Sequence, residues 1–386
     1  MSIAERVARE LARQGRGALG RALARLPERT RPAPDGAWLL GASVGAAYND
    51  NSAALHAFLR QECRDIDAYW VINSDSHDLE RARRVGPVLL REDVMTWAVA
   101  RRAAVHVISH GVHDVPLCSS ASTSNAVKVR LGHGLTAMKK TKSRPLQTNK
   151  TANAIFDLVP VASNFERENK RSWDIADDSL VVTGLPRFDP LVRRARAGSS
   201  PRILYMPTWR DGGSRRQEDT AKAIVSFLQH PILHRALVDH GVTLDVYCHR
   251  NMRAVPGFAG LFRDGLIRVL PVEHDVQDSI ASCMAMVTDY SSVCWDALYV
   301  DKPVLFYQFD LDAYLGERGA YFDLRNDAPG PRAETPSAAA ELVANALNDL
   351  VLSPAARRWQ QRAFAFRDDQ NCRRVYTVIL ERLQAA

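Results

Sequence analysis

The stretch "VTDYSSVCWDALYVDKPVLFY", Val287 to Tyr307, decides the fold. It reads as the end of an apolar strand, a polar turn, a short helix and a second apolar strand. Short apolar runs of this kind suit strands covered on both faces, and a helix between them supplies the crossover that parallel strands require. The turn gathers Thr288, Asp289, Ser291 and Ser292. Two readings follow from that cluster. A serine hydroxyl at the helix start caps a free backbone N–H, a contribution of about 1 kcal/mol, or the same N–H groups hold an anion. Asp296 lies one helical turn beyond Ser292 on the same face, where a carboxylate can accept hydrogen bonds from ribose or polyol hydroxyls. The stretch alone leaves both readings open.

Working outward, the same alternation continues in both directions. Strand-like runs recur at 203–207, 244–249, 267–270, 285–289 and 303–307, with helical patterns between them and two further helices at about 336–350 and 354–384. Upstream, strands are expected at 37–42, 68–72, 104–109, 126–134 and 157–163, and helices at 51–62, 91–103 and 164–173, the first capped by Asp50 or Asn51. The run "LVVTGLPRFD", 180–189, closes this half, and the basic connector "RRARAGSSPR" separates the two series. The expected fold is therefore α/β, with two Rossmann-like domains facing a cleft at 35–195 and 196–386.

Residues 1–34 stand apart. They hold eight arginines against Glu5, Glu10 and Glu28, a net charge of +5 out of +7 for the whole chain. Ile3, Val7, Leu11, Leu19, Leu23 and Leu26 recur at helical spacing, so a basic amphipathic helix is expected, ending at the linker "RPAPDG". Such a leader either stays solvated or binds an anionic membrane surface, gaining about 1 kcal/mol per basic side chain there. Nucleic acid is not an expected partner, because aromatic residues do not interleave with the basic ones. No run of 18 apolar residues can span a bilayer, and no apolar signal region precedes the linker. The six cysteines show no CxxC pair, which favours reduced thiols in the cytosol over disulfides or zinc.

Polar clusters fall at the strand ends, where α/β sheets bind ligands. "LGHGLTAMKK" sets His133 between Gly132 and Gly134 just after a strand, and an imidazole there suits a general base near neutral pH. A turn histidine with solvated lysines is the plainer alternative. "GLPRFD" adds Gly184 and Arg187, "MPTWRD" adds Thr208, Trp209 and Arg210, and "YCHRN" adds His249 and Arg250. Arginine at such ends suits phosphate, although each also suits a simple ion pair. No metal-ligand spacing, Walker A loop or kinase signature is present. Transfer at a phosphorus or sugar centre of a nucleotide-activated donor, with no cofactor and no protein-held metal, is the chemistry these groups support.

In order along 38–325, "YNDNSAALHAFL", "GHGLTAMKK", "GLPRFD", "MPTWRD", "YCHRN" and "TDYSSVCWDALYVDKPVLFYQFDLDAYLGERGAYFD" resemble the CDP-glycerol glycerophosphotransferases, which include teichoic-acid primases and polymerases. The resemblance implies a GT-B-like fold and transfer of glycerol phosphate, or a related polyol phosphate, from CDP-glycerol to a lipid-linked or glycan hydroxyl, with CMP released. It implies that His133 deprotonates the acceptor and that His249 stabilises charge on the diphosphate. Arg187, Thr208, Arg210, Ser291, Ser292 and Asp296 would bind the donor, with Gly134, Trp209 and Arg250 beside them. It also implies a cytoplasmic protein at the inner face of the membrane. The chain departs from the pattern at Gly132, where the family usually has an aromatic, at Leu135–Ala137, where a proline is common, and at Tyr247–Cys248, where an arginine precedes the second histidine. A glycosyltransferase using a nucleotide-sugar and a non-catalytic nucleotide-binding scaffold are the alternative functions.

Overall fold

The computed structural model describes residues 36–118, 126–140, 155–173, 175–208, 210, 214–248, 265–271 and 273–385. The expected leader helix, Trp209, His249 and Arg250 lie outside the described residues. The chain divides into two compact units, one of 1–133, 146–189 and 368–386 and the other of 134–145 and 190–367.

The first unit is built on five parallel strands: β1 (Trp38–Gly41), β2 (Ala68–Ile72), β3 (Val88–Leu90), β4 (Val105–Ile108) and β5 (Val127–Arg130), in the order β3-β2-β1-β4-β5. β6 (Val159–Val161) and β7 (Leu180–Val182) form a parallel pair beside it, joined through a bridge from Val129 to Leu158. The two faces are separated by the period-two alternation of the strands. Trp38, Leu40, Trp70 and Ile72 enter one core and Leu39 and Val71 the other. Being covered on both sides, β1 and β4 are buried throughout, the condition that permits an all-parallel sheet.

The second unit repeats the plan with β8 (Arg202–Met206), β9 (Thr243–Val246), β10 (Ile267–Val269), β11 (Ala285–Thr288), β12 (Val304–Tyr307) and β13 (Arg332–Ala333). All are parallel, in the order β10-β9-β8-β11-β12-β13. Counted from β8 this is the 3-2-1-4-5-6 order of a Rossmann sheet, and the crossover between β11 and β12 is the helix Val293–Tyr299 read from the opening stretch. Helices here start where the sequence provides oxygen acceptors and proline. Thr335 Oγ1 accepts from Ala338 N–H ahead of Pro336, and Ser353 Oγ accepts from Ala356 N–H ahead of Pro354.

Four expectations are corrected. The single helix expected at 354–384 is two, Pro354–Ala363 and Asn371–Ala385. The second of these packs Cys372, Val375 and Ile379 into the Trp38 core, so 368–386 completes the first unit rather than the second. Asp189 fixes that return: its carboxylate accepts from the N–H groups of Asn371 at 2.9 Å and Cys372 at 2.8 Å and from Asn371 Nδ2 at 2.7 Å. The segment 134–145 belongs to the second unit, where Tyr314 Oη donates to the Met138 carbonyl and Tyr321 N–H to Ala137. Finally, Ser292 stands at the N-cap of its helix but makes no capping side-chain bond, and the helix Asp50–Glu62 takes Asn49 as its N-cap, without a side-chain bond, in place of the expected Asp50 or Asn51. Asp50 instead adopts a left-handed φ of 65°, and its Oδ1 accepts from Asn51 N–H at 2.9 Å and from Arg187 Nη1 at 3.2 Å.

Candidate active site

In both units the strand order reverses between the first and fourth strands of the sheet, and polar groups collect at the carboxyl ends there. In the first unit the reversal lies between β1 and β4. β1 runs into Ser43, Val44 and Gly45, all at positive φ, and β4 runs into His110. The buried carboxylate of Asp114 ties these two ends together, accepting from Val44 N–H at 2.9 Å, His110 N–H at 2.7 Å and Gly111 N–H at 3.0 Å. Ser43 N–H donates to His110 Nδ1 at 3.3 Å. That bond fixes the tautomer, so the neutral ring carries its proton on Nε2, which faces Asp50 Oδ2 at 3.6 Å.

His133 follows β5, flanked by Gly132 at φ 72° and Gly134 at φ 129°. These angles are open to glycine and strained for other residues, which explains the spacing of the motif. The His133 ring lies parallel to that of His110, with centroids 5.1 Å apart and planes within 8°. Asn51, fully buried, holds the turn from below: its Nδ2 donates to the Gly132 carbonyl at 3.0 Å and its Oδ1 accepts from Arg187 N–H at 3.0 Å. Arg187 Nη1 completes the cluster, 3.2 Å from both Asp50 Oδ1 and the His133 carbonyl. His133 is exposed as a residue, yet the protein packed around its ring is the largest influence on its ionisation. Burial lowers its pKa below the ordinary imidazole range; Asp50 opposes this, and His110, Arg187 and Arg130 add to it. The shift favours the neutral imidazole.

In the second unit the reversal lies between β8 and β11. Asp289, at the end of β11, accepts from Thr208 N–H at 3.0 Å and from Thr208 Oγ1 at 2.6 Å, joining the two strand ends. Arg210 is buried between two carboxylates, with Nη2 2.9 Å from Asp289 Oδ2, Nε 2.8 Å from Asp310 Oδ2, and Nη1 donating to the Thr208 carbonyl. Burial disfavours its charge, and Asp289 and Asp310 outweigh that and raise its pKa. Tyr290 Oη donates to Asp310 at 3.1 Å, and its ring stacks on Tyr314 at 3.7 Å. Ser291 and Ser292 follow directly, partly exposed, on the turn that this network holds. Asp296 is fully buried and accepts from Gln277 Nε2 at 2.9 Å.

The sequence-derived residues thus separate by unit. His133 and Arg187 meet around Asp50; Thr208 and Arg210 meet around Asp289, beside Ser291 and Ser292. The sequence alone does not mark Asp50, Asn51, His110, Asp114 and Asp310 as site residues. His110 carried a usable signal, since "SHG" at 109–111 repeats at β4 the His-Gly pattern that drew attention to "GHG". The carboxylates carried none, because each takes a partner 70 or more residues away.

Doubly wound parallel sheets with polar groups at each reversal of strand order are the architecture of nucleotide-dependent α/β enzymes. The chain belongs to the family of CDP-glycerol:poly(glycerophosphate) glycerophosphotransferases, whose sequence profile matches residues 29–381, and it is a transferase. It is 26% identical over 332 residues to a teichoic acid glycerol-phosphate transferase of Staphylococcus aureus, covering 76% of this chain and 79% of that one. It is 30% identical over 320 residues to a teichoic acid poly(glycerol phosphate) polymerase of Bacillus subtilis, covering 75% of this chain but only 41% of the polymerase. Its fold resembles that of the wall teichoic acid polymerase TagF, with a TM-score of 0.77 at 17% identity over 99% of this chain and 97% of the other. It also resembles the S. aureus MnaA–UDP co-structure, with a TM-score of 0.54 at 14% identity over 91% and 97% of the two chains.

Proposed function

We propose that the protein transfers glycerol phosphate, or a related polyol phosphate, from CDP-glycerol to a hydroxyl of a lipid-linked or cell-surface glycan acceptor. The observation that carries this reading is His133, set on a glycine-flanked turn at a strand end and biased toward its neutral form. The acceptor O–H proton passes to the His133 ring as the oxygen forms a bond to the glycerol-bearing phosphorus. The bond between that phosphorus and the bridging oxygen breaks, and CMP leaves with the electron pair. Thr208, Ser291 and Ser292 contact the donor's phosphates, and His249 stabilises their charge, an electrostatic role. Arg187 and Arg210, each engaged by carboxylates of its own unit, act by holding the turns that carry the contacting groups. The step needs no cofactor beyond the donor. Asp296, buried against Gln277, acts on the donor's hydroxyls through that amide.

Among the described residues no helix is long and apolar enough to cross a membrane. The reading places the protein at the cytoplasmic face of the membrane, attached through residues 1–34. The test is purified full-length protein with CDP-glycerol and a lipid-linked acceptor. The parent releases CMP, and His133→Ala and His249→Ala lose that release. Variants as fast as the parent would reject the assignment, and stabilisation by UDP- or GDP-sugars instead of CDP-polyols in a thermal-shift assay would replace the donor.

A further inference from the structure

The His133 ring has close neighbours that take no part in the transfer step itself. His110 is the other histidine at a strand end of the first unit, and its surroundings are unusually determined. Its backbone N–H is pinned by Asp114, its Nδ1 accepts from Ser43, and its Nε2 faces Asp50. Two of the residues that pin it, Ser43 and Asp50, are themselves held in costly conformations, with φ of 50° and 65°, where side chains other than glycine are strained. The outcome is a ring whose position and tautomer are fixed and which lies parallel to His133. Asp50 is equally fixed, by Arg187 on one oxygen and by His110 on the other.

We propose that His110 and Asp50 are positioning residues for His133: the His110 ring sets the plane of the His133 imidazole, and Asp50 draws the imidazolium formed when the acceptor's proton arrives. This rests on His133 being the base. The division of labour follows from the charges that face His133. From the start of the helix Asp50–Glu62, Asp50 favours the imidazolium. From the end of β4 His110, from the turn before Phe188 Arg187, and from β5 Arg130 oppose it. Lys170, on the helix Asn164–Arg171, has its Nζ 3.8 Å from the space beside Gly132, but Glu166 pairs with it at 3.1 Å and removes most of its field. The ring is therefore neutral at rest, with one carboxylate ready for the charged state. An ordered stacking partner keeps the lone pair aimed without adding a second proton acceptor, because Nδ1 of His110 is already occupied.

The two residues push the base in opposite directions, which a merely structural role would not do. The experiment uses full-length protein with carbon-13-labelled histidine, the His133 signal being identified by its loss in His133→Gln. His110→Phe keeps the planar stack and removes the repulsion that His110 exerts on a protonated His133, so it is expected to raise the pH at which His133 protonates. Asp50→Asn is expected to lower it. The acid limb of kcat/KM for CMP release moves with the same two signs. His110→Ala, which removes the stack, lowers kcat by about ten- to a hundredfold with the KM for CDP-glycerol unchanged, the scale expected of a misaimed base, and His110→Phe recovers most of that loss. Identical titrations in the parent, His110→Phe and Asp50→Asn overturn the proposal, as does a His110→Phe variant no faster than His110→Ala. If His110→Ala does not fold, the titrations of the other two variants decide. Opposite shifts in a parent that releases no CMP would support the positioning and reject the reaction assigned to the site.

Discussion

A side chain on Gly184 would collide with Asn371: a Cβ placed there lies 1.7 Å from Asn371 Oδ1. Gly184 also has φ 80°, so the backbone itself disfavours any other residue. Asn371 cannot retreat cheaply, because its N–H and Nδ2 both bind Asp189. The contact is where the last helix is locked onto the first unit. Gly184→Ala is expected to destabilise that unit by about 3 kcal/mol, combining left-handed strain with overpacking. Calorimetry should show its transition lowered by several degrees, and proteolysis should release the segment from 368 onward. A variant that melts with the parent would contradict this packing.

Arg210 joins Thr208, Asp289 and Asp310, and its loss would leave two carboxylates facing one another in a buried site. Breaking a buried ion pair from one side costs about 3–5 kcal/mol. Arg210→Met is therefore expected to destabilise the second unit by that amount. Arg210→Lys retains the charge but not the fork that reaches both carboxylates and the Thr208 carbonyl, and it falls between the two. Thermal melts of the three proteins check the order. If Arg210→Met melts like the parent yet loses CDP-glycerol affinity in calorimetry, the guanidinium serves the ligand directly instead of the turn.

Two buried histidines make stability depend on pH. His56 and His106 each have a pKa lowered to about 4, chiefly by burial. His106 Nε2 donates to the Ala100 carbonyl at 2.9 Å and is pressed further by Lys128, while His56 Nδ1 meets Tyr48 Oη at 3.0 Å. Above about pH 6.5 both rings are neutral whether the chain is folded or not, and their contribution to stability is complete. As the pH falls toward 4, the unfolded chain binds protons that the folded one refuses, so each ring forfeits on the order of 3 kcal/mol. Denaturant melts from pH 7 to 4 should show this slope. His106→Gln should remove about half of it; an unchanged slope would mean other groups set the acid limit.

The sheet of each unit was legible because its strands are short apolar runs separated by helical patterns, a signal carried by neighbouring residues. "AYWVI" is β2 to the residue, and the opening stretch is the crossover between β11 and β12 as read. What escaped the sequence depends on distant partners. The break between Ala363 and Asn371 looks like continuous helix until Asp189 is known to hold Asn371 and Cys372. Ser292 has the residue type and position of a cap, yet its φ of −65° and ψ of −12° are already helical, so its hydroxyl does not close on the helix. Asp296 was legible as a first-turn acid but not as a buried one. His133 was recognisable from its two glycines, whereas Asp50 and His110 become visible only when β1, β4 and β5 lie side by side.

Residues 1–34 provide the last prediction. Their charge of +5 sits on a segment whose apolar residues recur at helical spacing, while the rest of the chain is close to neutral. At about 1 kcal/mol for each basic side chain near an anionic surface, the eight arginines are expected to attach the protein to such a surface. Deleting 1–34 is expected to move the protein from the membrane pellet to the supernatant. Adding salt should do the same to the parent, because such attraction fades within a Debye length. Transfer to a soluble acceptor should survive the deletion, since His133, Thr208, Ser291 and Ser292 all lie outside the deleted segment, and transfer to a vesicle-borne acceptor should fall. A soluble-to-pellet ratio unchanged by both deletion and salt would exclude the leader as the anchor.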